Sequence, residues 1–86
     1  IINSFSFYEN QIEILDLSEY LNLKGIGDDA FLDNPLKEIK ILDNIKIEYD
    51  YGRDDLWNNF IIFYNDNDKK AGNYKLENDQ WQWYPL

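Results

Sequence analysis

The last fourteen residues, NYKLENDQWQWYPL, leave the backbone little choice. Folded about a two-residue turn at Asn78-Asp79, they set Leu76 opposite Trp81 and Tyr74 opposite Trp83. The same register sets Lys75 opposite Gln82 and Glu77 opposite Gln80. One face is then wholly apolar and the other wholly polar, which is how a half-buried hairpin sorts its side chains. Pro85 has no N–H for a further ladder, so the final strand is expected at a sheet edge. Phe63, Tyr74, Trp81 and Trp83 are expected to gather on its inner side.

Period two recurs upstream. SFSFYENQIEIL reads as a hairpin turning at Glu9-Asn10, with Phe7 facing Ile12, Phe5 facing Ile14 and Ser6 facing Glu13. LSEYLNLKG reads as a short helix: Ser18 is the N-cap, Leu17, Tyr20, Leu21 and Lys24 recur at helical spacing, and Gly25 ends it. GIGDDAFLDNP is a loop with one helical turn at residues 29–33. LKEIKILDNIKIEYDYG admits two readings. Pro35 is placed to open a helix running to Leu42, whereas the alternating β-branched residues favour strands. A hairpin through Leu42-Asp43-Asn44 sets Ile41 opposite Ile45 and Ile39 opposite Ile47, but also Lys40 opposite Lys46, a like-charge pair. A strand from Ile45 to Tyr51 is common to both readings. GRDDLW is a loop, NNFIIFY is apolar on both faces and predicts a central strand, and NDNDKKAG is a long polar loop.

The expected fold is therefore a single domain over residues 1–86, β-rich α+β, with one antiparallel sheet of five to six strands and one or two short helices. A chain of 86 residues buries only about 60–65% of the surface that it exposes unfolded. Large rings must supply much of its core, and 17% of the residues are aromatic.

Composition narrows the function. The chain has no cysteine and no histidine, so disulfides, thiolate catalysis and Cys- or His-ligated metals are excluded, along with the commonest general base. A non-enzymatic protein without cofactor or metal is the expectation. Missing disulfides point to the cytoplasm. There is no methionine either, and an initiator Met before a bulky Ile is not normally trimmed. Ile1 is therefore expected not to be the true start: a methionine or a longer segment precedes it. Abundant Asn, Ile, Asp and Lys point to an AT-rich bacterial or phage genome. No apolar run approaches a membrane span.

The net charge is −9. Nucleic acid and anionic lipid are repelled by such a surface, and a basic protein is attracted. Residues 9–33 carry Glu9, Glu13, Asp16, Glu19, Asp28, Asp29 and Asp33 against Lys24 alone. Asp66, Asp68 and Glu77 fall at the first, third and last positions of a calcium loop, but Lys70 and Ala71 occupy positions that require an oxygen ligand and a glycine. The sequence pairs Asp28-Asp29 and Asp54-Asp55 read as solvated loop residues rather than acid–base couples. DYGRDDLW mixes carboxylates with Tyr51, Arg53 and Trp57, the chemistry of an interface anchor; the competing reading folds Trp57 into the core.

In size, acidity, aromatic content and β-rich pattern the chain resembles small bacterial immunity proteins that neutralise toxins. The resemblance implies a cytoplasmic protein that binds a cognate basic toxin domain, such as a nuclease, at its active site or beside it. Two partner-binding surfaces are expected: an acidic face of Glu13, Asp16, Glu19, Asp28, Asp29 and Asp33, and a loop of Asp54, Asp55 and Trp57. Other readings are a phage-type mimic of DNA charge, a carbohydrate-binding module using an exposed Trp81 or Trp83, and an assembly domain of a longer chain.

Overall fold

The computed structural model describes residues 2, 7, 10–27, 30–48 and 54–86. Its elements run β1 (Ile14–Asp16), β2 (Gly25–Ile26), β3 (Glu38–Ile41), β4 (Lys46–Ile47), α1 (Leu56–Asp66), β5 (Gly72–Glu77) and β6 (Gln80–Tyr84). Four strands form one sheet in the order β1-β3-β5-β6, and β2 pairs with β4 in a separate two-stranded sheet. β1 lies parallel to β3, β2 lies parallel to β4, and the β3–β5 and β5–β6 pairs are antiparallel.

The terminal hairpin has the register its sequence predicts, with Leu76 opposite Trp81, Tyr74 opposite Trp83, Lys75 opposite Gln82 and Glu77 opposite Gln80. Asn78 and Asp79 turn the chain at φ of 52° and 63°, the left-handed pair that lets a two-residue turn follow the twist of its strands. β6 is the sheet edge, as expected. Trp83 lies across Gly72, whose absent Cβ leaves the room; an added methyl carbon would sit 2.6 Å from Trp83 Cδ1 and 2.9 Å from the Tyr84 carbonyl oxygen. The indole Nε1 donates to the Ala71 carbonyl at 3.1 Å, and the Lys70 ammonium stands 3.7 Å from the ring centroid.

The single antiparallel sheet of five or six strands is not what forms. Of the two readings of residues 36–47, the helix from Pro35 to Leu42 is replaced by strand β3, and the hairpin between 38–41 and 45–47 is absent, so the lysine clash that it required is avoided. Lys40 instead lies opposite Asp16 on β1 and Asn73 on β5. Ile45 does not pair back to Ile41; its amide donates to the Tyr64 hydroxyl at 3.1 Å, and that hydroxyl donates to the Leu42 carbonyl at 2.8 Å. One phenol thus closes the Leu42–Ile45 turn and sends β4 to a different sheet. Ile45 and Ile47 are buried, while the predicted continuation to Tyr49 and Tyr51 lies outside the described residues.

The predicted central strand NNFIIFY is also overturned: it lies in helix α1. Trp57, Phe60, Ile61 and Tyr64 recur at helical spacing and are all buried on one face, while Ile62 is left exposed. Asp55 caps the helix, accepting from the Trp57 amide at 3.0 Å. The predicted helix at residues 17–24 does not form. The Asp16 carboxylate takes the Ser18 amide at 2.9 Å, and single turns follow, from the Tyr20 amide to the Leu17 carbonyl at 3.3 Å and from the Leu23 amide to the Tyr20 carbonyl at 3.0 Å. So short a segment cannot offset the cost of helix nucleation. Most of the predicted N-terminal hairpin lies outside the described residues. Its inward assignment of Ile14 is reversed: Ile14 is 66% exposed, and Leu15 and Leu17 enter the core.

The core lies between the sheet and α1. Phe60 is its hub, with ring centroids 5.4 Å from Trp57, 5.7 Å from Tyr64, 5.3 Å from Tyr74 and 5.4 Å from Trp81. Ile39 and Ile41 of β3 complete the sheet side, and Leu32, Leu36 and Ile26 close the flank.

Two substitutions test this account by chemical denaturation. Tyr64→Phe keeps the ring and leaves the buried Ile45 amide without an acceptor, so a loss of about 1–3 kcal/mol is expected. Gly72→Ala forces Trp83 off the sheet; a loss of about 1–3 kcal/mol, with tryptophan emission moved to the red, is expected.

Candidate functional site

An open groove of ≈ 840 Å³ lies beside β1 and the turns that follow it. Its floor holds Phe7, Phe31, Leu15 and Leu17, and its outer wall is the turn Glu19–Leu23. Tyr20 and Leu21 stand 60% and 76% exposed on that wall. Asp16 and Glu19 are the charged residues of the described lining, which has no lysine or arginine.

Local chemistry builds this arrangement. Asp16 ends β1, and its carboxylate binds both the amide and the hydroxyl of Ser18. These bonds, the hydroxyl first and the amide second, hold the Asp16 carboxyl below its usual range, with a smaller contribution from Lys40. The tight turn that results throws Glu19, Tyr20 and Leu21 outward. On the opposite side Phe7 stacks on Phe31 at 5.0 Å with planes 2° apart. Asn34, almost fully buried, ties these pieces together. Its Nδ2 donates to the carbonyls of Phe7 at 2.7 Å and Phe31 at 3.0 Å, and its Oδ1 accepts the Ile12 amide at 3.1 Å. Phe31 in turn meets Trp57 at 4.9 Å, so the groove floor is continuous with the aromatic core.

The expected acidic face is divided. Asp16 and Glu19 share the groove rim. Glu13 is nearby in sequence but paired with Lys37 at 3.0 Å. Asp28 and Asp29 lie outside the described residues. Asp33, at φ 58°, belongs instead with Asp55: the Asp55 carboxylate accepts the Asp33 amide and lies within reach of the Asp33 carboxyl. Of the second expected surface, Asp54 is exposed and accepts from Asn59 Nδ2 at 3.2 Å. Asp55 is the half-buried helix cap, and Trp57 has no exposed surface at all. Trp57 is therefore a core residue between Phe31 and Phe60, in line with the competing reading of that loop.

Neither C-terminal tryptophan offers a stacking platform. Trp81 is buried against Phe60, and Trp83 is engaged by Gly72 and Lys70. The calcium-loop positions are dispersed: Asp66 ends α1, Asp68 lies in the following turn, and Glu77 on β5 accepts the Tyr84 hydroxyl at 2.6 Å. No group of three or more metal-ligating side chains occurs among the described residues, and no helix of theirs is long and apolar enough to cross a membrane. Phe7, Phe31, Asn34 and the Tyr20-Leu21 pair are the site residues that sequence reasoning passed over. The local signal for them is the adjacent apolar pair Tyr20-Leu21, which a helical spacing also accounts for.

Comparison with protein families, with curated proteins and with solved structures finds no match.

Asp55 generates a pH prediction. Burial raises its carboxyl above the ordinary value, an effect that the Trp57 and Asp33 amides partly offset. The folded state therefore holds the proton more tightly than the unfolded state, so this group's contribution to stability falls as pH climbs from about 3.8 through the raised value. Asp55→Asn keeps a capping oxygen and removes the titration. Its stability relative to wild type is expected to improve steadily across that acidic window and then stay constant, as read by denaturation midpoints from pH 3 to 7.

Proposed function

We propose that the protein is a non-enzymatic inhibitor of the immunity type, holding a basic toxin domain against the Phe7–Phe31 groove and its acidic rim. The carrying observation is the groove's make-up: apolar walls, carboxylates at Asp16 and Glu19, and no cation in the described lining, in a chain of net charge −9. A lysine- or arginine-bearing segment with an aliphatic or aromatic neighbour is its chemical complement. The charge steers encounter, and burial of Tyr20 and Leu21 on contact slows release. The absence of histidine and cysteine from the sequence supports binding over turnover. A nuclease is the apt toxin class, because a site that accepts phosphate is basic and a carboxylate surface competes for it. In this reading the protein works in the cytoplasm.

Electrostatics elsewhere favours the groove over the exposed sheet face. There Glu38 lies opposite Lys75, and Asp16, which borders both that face and the groove, lies opposite Lys40, so negative charge is locally balanced on the sheet and Glu19 carries the larger share of the groove's acidity. Such pairing also departs from the evenly spaced carboxylates that a mimic of DNA requires, about 7 Å apart along one strand.

The test compares wild type with an Asp16→Asn, Glu19→Gln, Leu21→Ser variant, each immobilised and exposed to extract of the source cells at about 50 mM and about 500 mM salt. A high-pI protein is expected on the wild type, released at the higher salt and lost with the variant. The toxicity of that captured protein on expression is expected to be relieved by co-expressing the wild-type chain but not the variant. Retention of no basic protein, or equal retention by the variant, rejects the reading.

A further inference from the structure

The edge of β6 is the second feature that calls for a partner. In a hairpin with a two-residue turn, the flanking pair Glu77–Gln80 exchanges both its backbone bonds, and bonded pairs then alternate along the ladder. The N–H and C=O of Trp81 and Trp83 consequently point away from β5. Among the described residues no hydrogen bond reaches them from another strand. An edge of this sort is a template for strand addition, and proteins usually blunt it with lysine or other charge. Here Gln80 through Leu86 carry no charged side chain, in a chain that is 29% charged. The opposite edge, β1, is a strand of only three residues that ends in the charged Asp16, the short and charged form in which edges are usually blunted.

We propose that β6 pairs antiparallel with β6 of a second copy, about a two-fold axis at Gln82, joining two four-stranded sheets into one. The strand is self-complementary in that register. Trp81 lies opposite Trp83 of the second copy and exchanges both backbone bonds with it, and the reciprocal pair does the same. Gln82 faces its own image in a non-hydrogen-bonded pair, where side chains are closest, and its amide is both donor and acceptor. Gln80 faces Tyr84, and Pro85, without an N–H, ends the ladder. The four indoles lie on one face of the joined sheet, and no like charges meet across the seam. The contact is isologous and therefore closes as a dimer. It is also small, which places it among weak, reversible interfaces. Because each copy carries −9, salt strengthens this association, the reverse of its expected effect at the groove.

Sedimentation from about 10 µM to about 1 mM protein is the test, with amide exchange read at Trp81 and Trp83. The mass is expected to climb from 10.4 kDa towards its double, more readily at high salt, while the two amides slow with concentration. Gln82→Lys and Gln82→Glu each set like charges on the two-fold axis; each alone is expected to stay monomeric, and their equimolar mixture to associate. Gln82→Glu faces Lys75 within its own hairpin and keeps that hairpin favourable, so it decides the matter with amide exchange if the lysine variant misfolds. A wild type that is monomeric throughout, Gln82→Glu associating as wild type does, or concentration-dependent protection at other residues overturns the proposal. Leu21→Ser, which alters the groove, is expected to leave the association unchanged.

Discussion

Phe60 packed between helix and sheet is the interaction on which the remaining structure depends. Its ring meets Trp57 and Tyr64 along α1, and Tyr74 and Trp81 across the gap. A short helix has little stability of its own, and a mixed sheet with a three-residue edge strand has little more. Each is held by the rings of the other. Tyr64 extends the arrangement to the turn after β3, since its hydroxyl binds both Leu42 and Ile45. The same helix that fills the core thereby separates the two sheets.

That aromatic packing also reaches the groove. Trp57 touches Phe31, and Phe31 stacks on Phe7 at the groove floor. The site is therefore backed by core, not by mobile loop, on one side. The other side is a pair of single turns anchored by the Asp16 carboxylate on Ser18. A firm apolar floor beside an outward-pointing acidic turn gives two different means of recognition: charge acts at a distance, whereas the exposed Tyr20 and Leu21 contribute only after water is expelled.

Legibility in the sequence followed the range of the interactions involved. The β5–β6 hairpin was readable residue by residue because its pairs lie within twelve positions of one another and turn chemistry set the register. The helix α1 was not, although Asp55, Trp57, Phe60, Ile61 and Tyr64 contain a cap and an apolar face. Starting the segment at Asn58 hides Trp57, and NNFIIFY alone fits a buried strand as well as a helix. The β1–β3 and β2–β4 pairs are parallel and non-local, and period-two patterns do not say which strand a strand will meet. At the site, Asp16 and Glu19 were among the residues expected at a partner surface, but their apolar companions Phe7 and Phe31 are brought beside them by contacts between segments far apart in the chain. Among these are the bonds of Asn34 to Phe7 and Ile12 and of the Phe7 amide to the Ala30 carbonyl.

By itself the amino-acid order determined the hairpin, its edge position, the aromatic character of the core and a strong negative charge without histidine or cysteine. All of these follow from composition or from neighbours close along the chain. Tertiary structure decided where that charge is usable. It paired Glu13 with Lys37, set Asp16 and Glu38 opposite lysines on the sheet, withdrew Trp57 into the interior and left Glu19 beside an apolar groove. The reason is physical: a charge is defined by its residue, but its neighbours and its exposure are defined by which distant segments pack around it.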